Sequence, residues 1–200
     1  MAEIVRTSIV DPQLPTRRTL DERLMLLWPR AWAALAGIVQ SLPPRSRLRR
    51  FALRQTALSG WGAWVRGDLD VCLARFAPDC HYEPPPEWLL PGMPGAYRGR
   101  VGLRQWAADL HDAWDFLDHT PLELVDAGEV VVFRCHTRLR ARASGIEFDS
   151  QLGQVFWFER GLIAHERDFG DWHEALRAAE IPAAAASATP ARSAVSAEGP

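Results

Sequence analysis

The sequence predicts an α+β domain in which a curved antiparallel sheet wraps around N-terminal helices and encloses a cone-shaped pocket. Two observations predict this class. In the first half of the chain, apolar residues recur at three- and four-residue steps, which is typical of amphipathic helices. In the second half, apolar and polar residues alternate along long stretches, as they do in half-buried antiparallel strands. Because the helices come first and the strands follow as a block, we expect one domain with separate helical and sheet layers.

Composition limits the classes of function. The 200 residues are 48% hydrophobic, which suits one domain with a sizeable core. The formal net charge of -2 gives no overall basic field, so we expect no nucleic-acid partner. Cys72, Cys80 and Cys135 fit neither a metal spacing nor a disulfide framework, which indicates buried thiols in a reducing compartment. Since the N-terminus also has no apolar signal core, the sequence predicts a cytoplasmic protein.

Two segments precede the main domain. Residues 1–18 are polar with scattered prolines, and we expect them to lack fixed structure. Residues 19–44 are interpreted as a helical extension that begins at a capping box made by Thr19 and Glu22. Because Pro29 interrupts the apolar run of this extension, we expect a kinked helix or a helix pair packed on the domain, not a membrane-spanning helix.

The extension has a second interpretation, in which it binds a membrane surface or a partner protein. Residues 24–54 combine the apolar run with a following arginine cluster, and that combination suits contact with anionic lipid. The alternative is that the cluster forms a solvated helix face. Its members are Arg45, Arg47, Arg49, Arg50 and Arg54.

The main domain is expected to cover residues 45–181, and the Ala/Ser/Pro-rich tail at 182–200 is expected to be disordered. Periodicity and breaker residues predict its elements in order. They are helices at 46–66 and 68–76, a short strand at 80–83, a loop at 87–99, a helix at 101–114, strands at 119–125 and 129–142, two strands within 146–170 joined by a tight turn at 159–161, and a helix at 172–179.

One predicted strand carries basic side chains along a single face, namely Arg134, His136, Arg138, Arg140 and Arg142. We expect this row to form a solvent-exposed or dimer face that pairs with acidic neighbours such as Asp149.

Three stretches carry a resemblance to a known family: LSGWGAWVRGDLDVCLARFAPDCHYEPP, YRGRVGLRQWAADL and GQVFWFERGLIAHERDFGDWHEAL. The diagnostic parts are the residues at 66–70, 76–82 and 97–99 and the hairpin at 156–163. Over roughly residues 50–180 the chain resembles the SnoaL-like branch of the nuclear transport factor 2-like superfamily. The resemblance implies the cone fold and a homodimer, and the superfamily includes isomerases, cyclases, epoxide hydrolases, dehydratases and non-catalytic binders.

Ketosteroid isomerases of that superfamily use a base carboxylate, a tyrosine and a protonated aspartate. In this sequence the tyrosine position falls at Gly60, the base at Pro84 and the aspartate at Gln154. None of the three matches, so ketosteroid isomerase chemistry is disfavoured, although Gln154 can still donate a hydrogen bond to an oxyanion.

Glu166 and Asp168 are the first candidates for catalysis. They are two residues apart on the last strand and share a face, which the resemblance places toward the cavity beside Gln154. Two carboxyl groups in a poorly hydrated pocket have unequal proton affinities, as general acid/base chemistry on a carbonyl or epoxide requires. The alternative is that both point outward and pair with Arg138 or Arg167.

Strand parity leaves the choice open, because the apolar residues Ile163 and Phe169 lie on the face opposite Glu166. If that apolar face points inward, His165 enters the site instead and serves as a base near neutral pH.

Aromatic residues are the candidates for ligand binding. Tyr97, Trp106 and Trp114, with Trp88 of the loop at 87–99, are expected either to line an apolar pocket beside Gln154 or to pack in the core. No set of histidines and carboxylates has metal-ligand spacing, so the sequence predicts neither a metal nor a cofactor.

Three hypotheses follow. The domain is a small enzyme that acts on a hydrophobic molecule by acid/base chemistry, a non-catalytic binding or dimerisation module, or an accessory protein that contacts a membrane peripherally through residues 24–54.

Overall fold

The computed structural model describes residues 3–9 and 13–182. Most of the predicted tail lies outside the described residues. The elements are β1 (Val5–Ser8), α1 (Leu20–Leu27), α2 (Pro29–Gln40), α3 (Arg47–Val65), α4 (Leu69–Ala74), β2 (Phe76–Glu83), β3 (Tyr97–Arg98), α5 (Gly99–Ala113), β4 (Trp114–Asp126), β5 (Val130–Ala141), β6 (Glu147–Glu159), β7 (Leu162–Phe169) and α6 (Trp172–Ala178).

The strands form one curved, unclosed sheet in the order β1-β4-β5-β6-β7-β2-β3. The long strands β4 to β7 pair antiparallel with their sequence neighbours, as predicted. The sheet is nevertheless mixed, because β2 pairs parallel to β7. The predicted α+β class is confirmed.

The sheet packs on both faces. On its inner face, α3 and α5 cover the main core through residues such as Trp61 and Trp106. On its outer face, α6 covers one end of the sheet, where Gly153 gives it room: a side chain there would collide with Ala175. Burial on both faces explains why β6 is buried without interruption from Leu152 to Phe156.

The turn between β6 and β7 has positive φ angles at Arg160 (51°) and Gly161 (82°). Two consecutive positive φ values are the mark of a tight hairpin turn of type I′, so the predicted turn is confirmed. Gly161 is also needed for packing, because a side chain there would collide with the Ala33 carbonyl of α2.

The helical extension is a pair, α1 and α2, with Pro29 as the first residue of α2, where its missing N–H leaves no bond unmade. The predicted capping box at Thr19 and Glu22 is present. Glu22 is fully buried and also ties α1 to the domain, since its carboxylate accepts hydrogen bonds from Ser59 (2.7 Å) and Arg66 (2.8 Å).

Arg49 departs from the expectation for the arginine cluster. Its side chain is only 2% exposed, and its guanidinium donates to both carboxylate oxygens of Asp126 (2.7 and 2.8 Å) and to the carbonyls of Gln40, Leu42 and Gly128. It therefore joins α3 and the preceding loop to the β4–β5 turn, and belongs neither to a solvated face nor to a lipid-binding face.

The segment at 1–18 was expected to lack fixed structure, but Val5–Ser8 form β1. This strand pairs with β4, and Ile9 after it is buried in the core. Four residues are too few to show a clear alternation, and the strand is held mainly by the exposed edge of β4, which needs hydrogen-bond partners. In the part of the chain that the structure describes, no helix has the length and apolarity required to cross a membrane.

The basic row of β5 forms ion pairs across the outer face of the sheet. His136 lies between Asp118 (2.6 Å) and Asp149 (2.9 Å), and Arg138 lies 3.7 Å from Asp149. The predicted pairing with acidic neighbours is therefore present.

Candidate active site

An irregularity in β7 decides which side chains point inward. Phe158 pairs with Ile163 and Trp157 with His165, so Ala164 is an extra residue between the two pairs. Such a bulge reverses strand parity. As a result Ile163, Glu166 and Asp168 are all buried on the inner side, and Phe169 packs in the outer cluster under α6.

The two carboxyl groups of β7 meet a small set of hydrogen-bonding groups. The Tyr82 hydroxyl donates to Asp168 Oδ2 at 2.9 Å. The Gln154 amide donates to the same oxygen at 3.1 Å and to Glu166 Oε1 at 3.3 Å, and the Cys135 thiol donates to Gln154 Oε1 at 3.4 Å. This last contact fixes which end of the Gln154 side chain faces the carboxyl pair.

Burial without a counter-ion controls the protonation of this pair. Glu166 is 7% and Asp168 3% exposed, and neither forms a salt bridge within the described residues. Desolvation raises the pKa of Asp168 to about 7 and raises the pKa of Glu166 well above its usual value, with the neighbouring Asp168 charge adding to the increase.

The two environments also separate the roles of the carboxyls. Tyr82 and Gln154 both donate to Asp168 and so favour its charged form. Glu166 shares a side-chain hydrogen bond with Asp168 that raises the pKa of Glu166 and lowers that of Asp168. These contacts favour the protonated form at Glu166 and the charged form at Asp168, so the two carboxyls share a proton as a pair.

Aromatic side chains form a continuous series on the inner face, which we call the aromatic circuit. Neighbouring rings have centroids 5.0 to 6.5 Å apart. Both ends of the circuit lie beside Glu166 on the sheet, because Tyr82 and Phe156 are its register partners on β2 and β6. In order, the circuit consists of Tyr82, Trp106, Trp88, Phe116, His119, Trp61, Phe133 and Phe156.

Several buried polar atoms of the inner face have no hydrogen-bond partner among the described residues. They are Asp168 Oδ1, Ser150 Oγ, and the indole nitrogens of Trp61 and Trp88. Buried polar groups are normally satisfied, so an inner face with four unsatisfied groups can offer hydrogen bonds to a bound polar group.

Sequence reasoning missed His119 and Tyr82. His119 lies in the aromatic circuit, with Nδ1 2.9 Å from the Thr137 hydroxyl, and desolvation lowers its pKa to about 4, so the imidazole is neutral. Tyr82 faces inward with Cys80 on β2. The alternation of β2 could have identified Tyr82, whereas His119 was placed at the start of a strand that in fact begins at Trp114.

The model of the SnoaL-like domain family matches residues 60–166, which is more than half of the chain. The chain belongs to the SnoaL-like family. No curated protein matches it.

Solved structures share its fold. An NTF2-like protein of unknown function from Burkholderia pseudomallei is 25% identical, with 62% of this chain and 93% of that chain covered and a TM-score of 0.52. An NTF2-like protein from Burkholderia thailandensis is 24% identical, with 64% and 96% covered and a TM-score of 0.50. TerC, co-crystallised with polyporic acid, is 17% identical, with 62% and 96% covered and a TM-score of 0.50. These likenesses confirm the nuclear transport factor 2-like cone fold.

In this SnoaL-like domain His165 is separated from the carboxyl pair. Its side chain lies on the outer face, where Nε2 is 3.1 Å from Glu83 Oε1 and the ring stacks on Trp157 at 4.6 Å. The structure thus groups Glu166 and Asp168 with Gln154 and places His165 apart.

The predicted ligand-binding aromatics also divide. Trp88 and Trp106 stack in the aromatic circuit. The Tyr97 ring contacts Tyr82 and Trp106, but its hydroxyl donates to Asp109 of α5 at 3.0 Å. Trp114 donates its indole N–H to the Trp88 carbonyl at 3.3 Å, a contact that ties the start of β4 to the loop.

Proposed function

We propose that this SnoaL-like domain binds a small hydrophobic molecule within the aromatic circuit and acts on it by acid/base chemistry without a cofactor. The observation that carries the proposal is the pair of buried carboxyls, Glu166 and Asp168, which share the inner face with no basic partner among the described residues. Buried, unequal carboxyls are a typical acid/base arrangement of active sites.

Each polar group has a role in this proposal. The Asp168 carboxylate takes a proton from a carbon next to a carbonyl, and the protonated Glu166 gives a proton to the developing oxyanion or to an epoxide oxygen. Tyr82 stays neutral, because burial raises the pKa of its hydroxyl well above 10, and so remains a donor to Asp168. This chemistry fits the isomerase, cyclase or hydrolase type.

The residues of the aromatic circuit indicate which class of substrate the domain binds in this proposal. The rings of Trp61, Trp88 and Trp106 are buried in the apolar core, and a molecule that enters among them is favoured if it is flat, cyclic or aromatic. Ser150 and the neutral His119 provide polar contacts on the same inner face, with Thr137 as the register partner of both.

A ligand screen by thermal shift tests this proposal. Cyclic hydrophobic carbonyl compounds and epoxides are added to the wild type, to Glu166→Gln, and to Asp149→Asn as a control on the outer face. A compound that binds raises the melting temperature with its concentration. We expect hits whose pH dependence between pH 5 and 8 is changed by Glu166→Gln and unchanged by Asp149→Asn, and turnover of those hits that Glu166→Gln abolishes.

Two results would count against the proposal. If no compound of this class stabilises the wild type, the binding part is wrong. If hits bind but neither their pH dependence nor any turnover changes in Glu166→Gln, the domain is a non-catalytic binding module.

A second candidate function rests on the helical extension. Helices α1, α2 and α3 pack in succession and expose large apolar side chains: Leu24, Leu27, Trp28, Leu35, Ile38, Leu48 and Phe51. Arg47 and Arg50 are exposed beside Leu48 and Phe51 at the start of α3. We propose peripheral contact of this surface with an anionic membrane, in which apolar side chains insert and arginines meet the head groups.

Vesicle co-sedimentation tests this second function. We expect binding to phosphatidylcholine vesicles that contain phosphatidylserine, weaker binding without phosphatidylserine, and loss of binding in Leu48→Ser/Phe51→Ser. Arg167→Gln, which lies on β7 and pairs with Glu83, is the control. Binding that is equal for the two variants would show that this surface is not the contact.

A further inference from the structure

A cluster of metal-ligating side chains lies on the outer face of the sheet, separate from the carboxyl pair. It consists of His81 and Glu83 of β2 and His165 of β7. The parallel pairing of these strands makes His81 and His165 register partners, and Glu83 is two residues further along the same face of β2. No local spacing predicts this cluster, because Glu83 and His165 are 82 residues apart in the chain.

The three side chains already converge. One ligand atom from each lies within 4.8 Å of the other two. Glu83 Oε1 is the centre of the cluster, 3.1 Å from His165 Nε2 and 3.6 Å from His81 Nδ1. The imidazole rings stack with centroids 5.0 Å apart.

The surroundings suit a cation that takes nitrogen and oxygen ligands. The three side chains are 28%, 29% and 31% exposed, so an ion can reach them and they can adjust.

The neighbouring groups orient the cluster. Trp157 packs against one face of the His165 ring, and Arg167 holds Glu83 Oε2 at 3.3 Å, which leaves Oε1 directed at the two histidines. Arg98, the register partner of His81 on β3, is the other basic residue of this row.

We propose that His81, Glu83 and His165 bind a divalent transition-metal ion, with Zn²⁺ as the representative ion. Two imidazoles and one carboxylate form a recurrent zinc ligand set, and water fills the open position. Tetrahedral coordination with Zn–N bonds of about 2.0–2.1 Å needs ligand atoms about 3.3 Å apart, and Glu83 Oε1 lies 3.1 Å from His165 Nε2 and 3.6 Å from His81 Nδ1. A bound ion would link β2 to β7, the strands that carry Tyr82 and Asp168 on their inner faces.

The test is zinc titration of the full chain after chelator treatment and dialysis, by calorimetry and by thermal shift. We expect one Zn²⁺ per chain and a melting temperature that rises with zinc concentration. His81→Asn and His165→Gln should each weaken binding at least about tenfold. His136→Asn and His173→Gln, which remove histidines outside the cluster, should leave the affinity unchanged.

A second readout keeps the proposal independent of folding effects. Co²⁺ in place of Zn²⁺ should give visible absorption bands that are lost in His81→Asn, while far-ultraviolet circular dichroism shows that the variant is folded. Absence of binding in the wild type, or binding that survives both His81→Asn and His165→Gln, would overturn the proposal. Neither result bears on the carboxyl pair, since the cluster lies on the other face of the sheet.

Discussion

Asp126 at the end of β4 and Asp168 near the end of β7 are buried to nearly the same extent, with 1% and 3% of their surface exposed. Asp126 receives two hydrogen bonds from the Arg49 guanidinium. Asp168 receives neutral donors, Tyr82 and Gln154, and has a second carboxyl, Glu166, beside it. The same protein therefore neutralises one buried carboxylate with a cation and leaves another to share a proton.

The difference separates a structural tie from a candidate site. The Arg49–Asp126 pair joins α3 and its preceding loop to the sheet, and the Glu22 carboxylate joins α1 to Ser59 and Arg66 in the same way. Glu166 and Asp168 have no cationic partner among the described residues. They therefore do not stabilise the fold as the two ion pairs do, because burial disfavours the charged form of a carboxyl group. Buried carboxyls with raised pKa values are typical of functional sites, which is why the proposed chemistry is placed at this pair.

The largest expected effect on stability comes from disrupting the ion pair between Arg49 and Asp126. Asp126→Asn leaves the Arg49 guanidinium buried without a carboxylate and should lower the free energy of unfolding by about 3–5 kcal/mol. Urea unfolding measures it, with the exposed Asp149→Asn as the control, for which we expect a change within about 0.5 kcal/mol. A loss below about 1 kcal/mol for Asp126→Asn would mean that the remaining carbonyl acceptors satisfy Arg49.

Removing one carboxyl of the pair formed by Glu166 and Asp168 should instead raise the free energy of unfolding. The folded-state pKa values of Glu166 and Asp168 are raised, so the stability they contribute is fully present below about pH 4 and is lost as pH rises through the folded pKa values. The wild type should therefore lose stability between pH 5 and pH 8. Glu166→Gln removes a carboxyl whose ionisation is disfavoured in the folded state but not in the unfolded chain, and should raise the free energy of unfolding at pH 8 by about 1–3 kcal/mol.

Urea unfolding at a series of pH values tests that reversal. His136 has a raised pKa, chiefly through its hydrogen bond to Asp118, and loses stability in the same direction, so His136→Asn is measured in parallel to remove its part. A Glu166→Gln protein that is less stable than the wild type at pH 8 would show that the pair is a structural tie after all.

Local patterns were sufficient for most of the fold. The helix pair split at Pro29, the tight turn at Gly161 and the helix that begins after Asp171 follow from short-range signals, namely a proline, a glycine and a capping residue. The strand β1 and the parallel pairing of β2 with β7 did not, because both depend on a distant strand that offers an edge.

The site was harder to predict, for a reason that lies in one residue. The extra Ala164 lets Ile163 and Glu166 share a face, and no local pattern reveals a bulge that only the pairing with β6 defines. The burial of Arg49 depends on Asp126, 77 residues away, and so was not predictable from the arginine cluster. The orientation of Glu166 and the burial of Arg49 could not be predicted, because both depend on partners that are distant in the chain.

The smallest effect is expected from the neutral donors that replace a cation at Asp168. Tyr82→Phe removes the hydroxyl that donates to Asp168 Oδ2 and so removes support for the charged carboxylate. The pKa of Asp168 should rise further, and the free energy of unfolding should fall by about 1 kcal/mol at pH 8, with a smaller loss at pH 5, where Asp168 is protonated. Urea unfolding of Tyr82→Phe at both pH values measures the difference, with Tyr97→Phe as the control, whose hydroxyl contacts Asp109 instead. An equal loss at the two pH values would show that the hydroxyl contributes independently of the charge of Asp168 and does not stabilise its carboxylate.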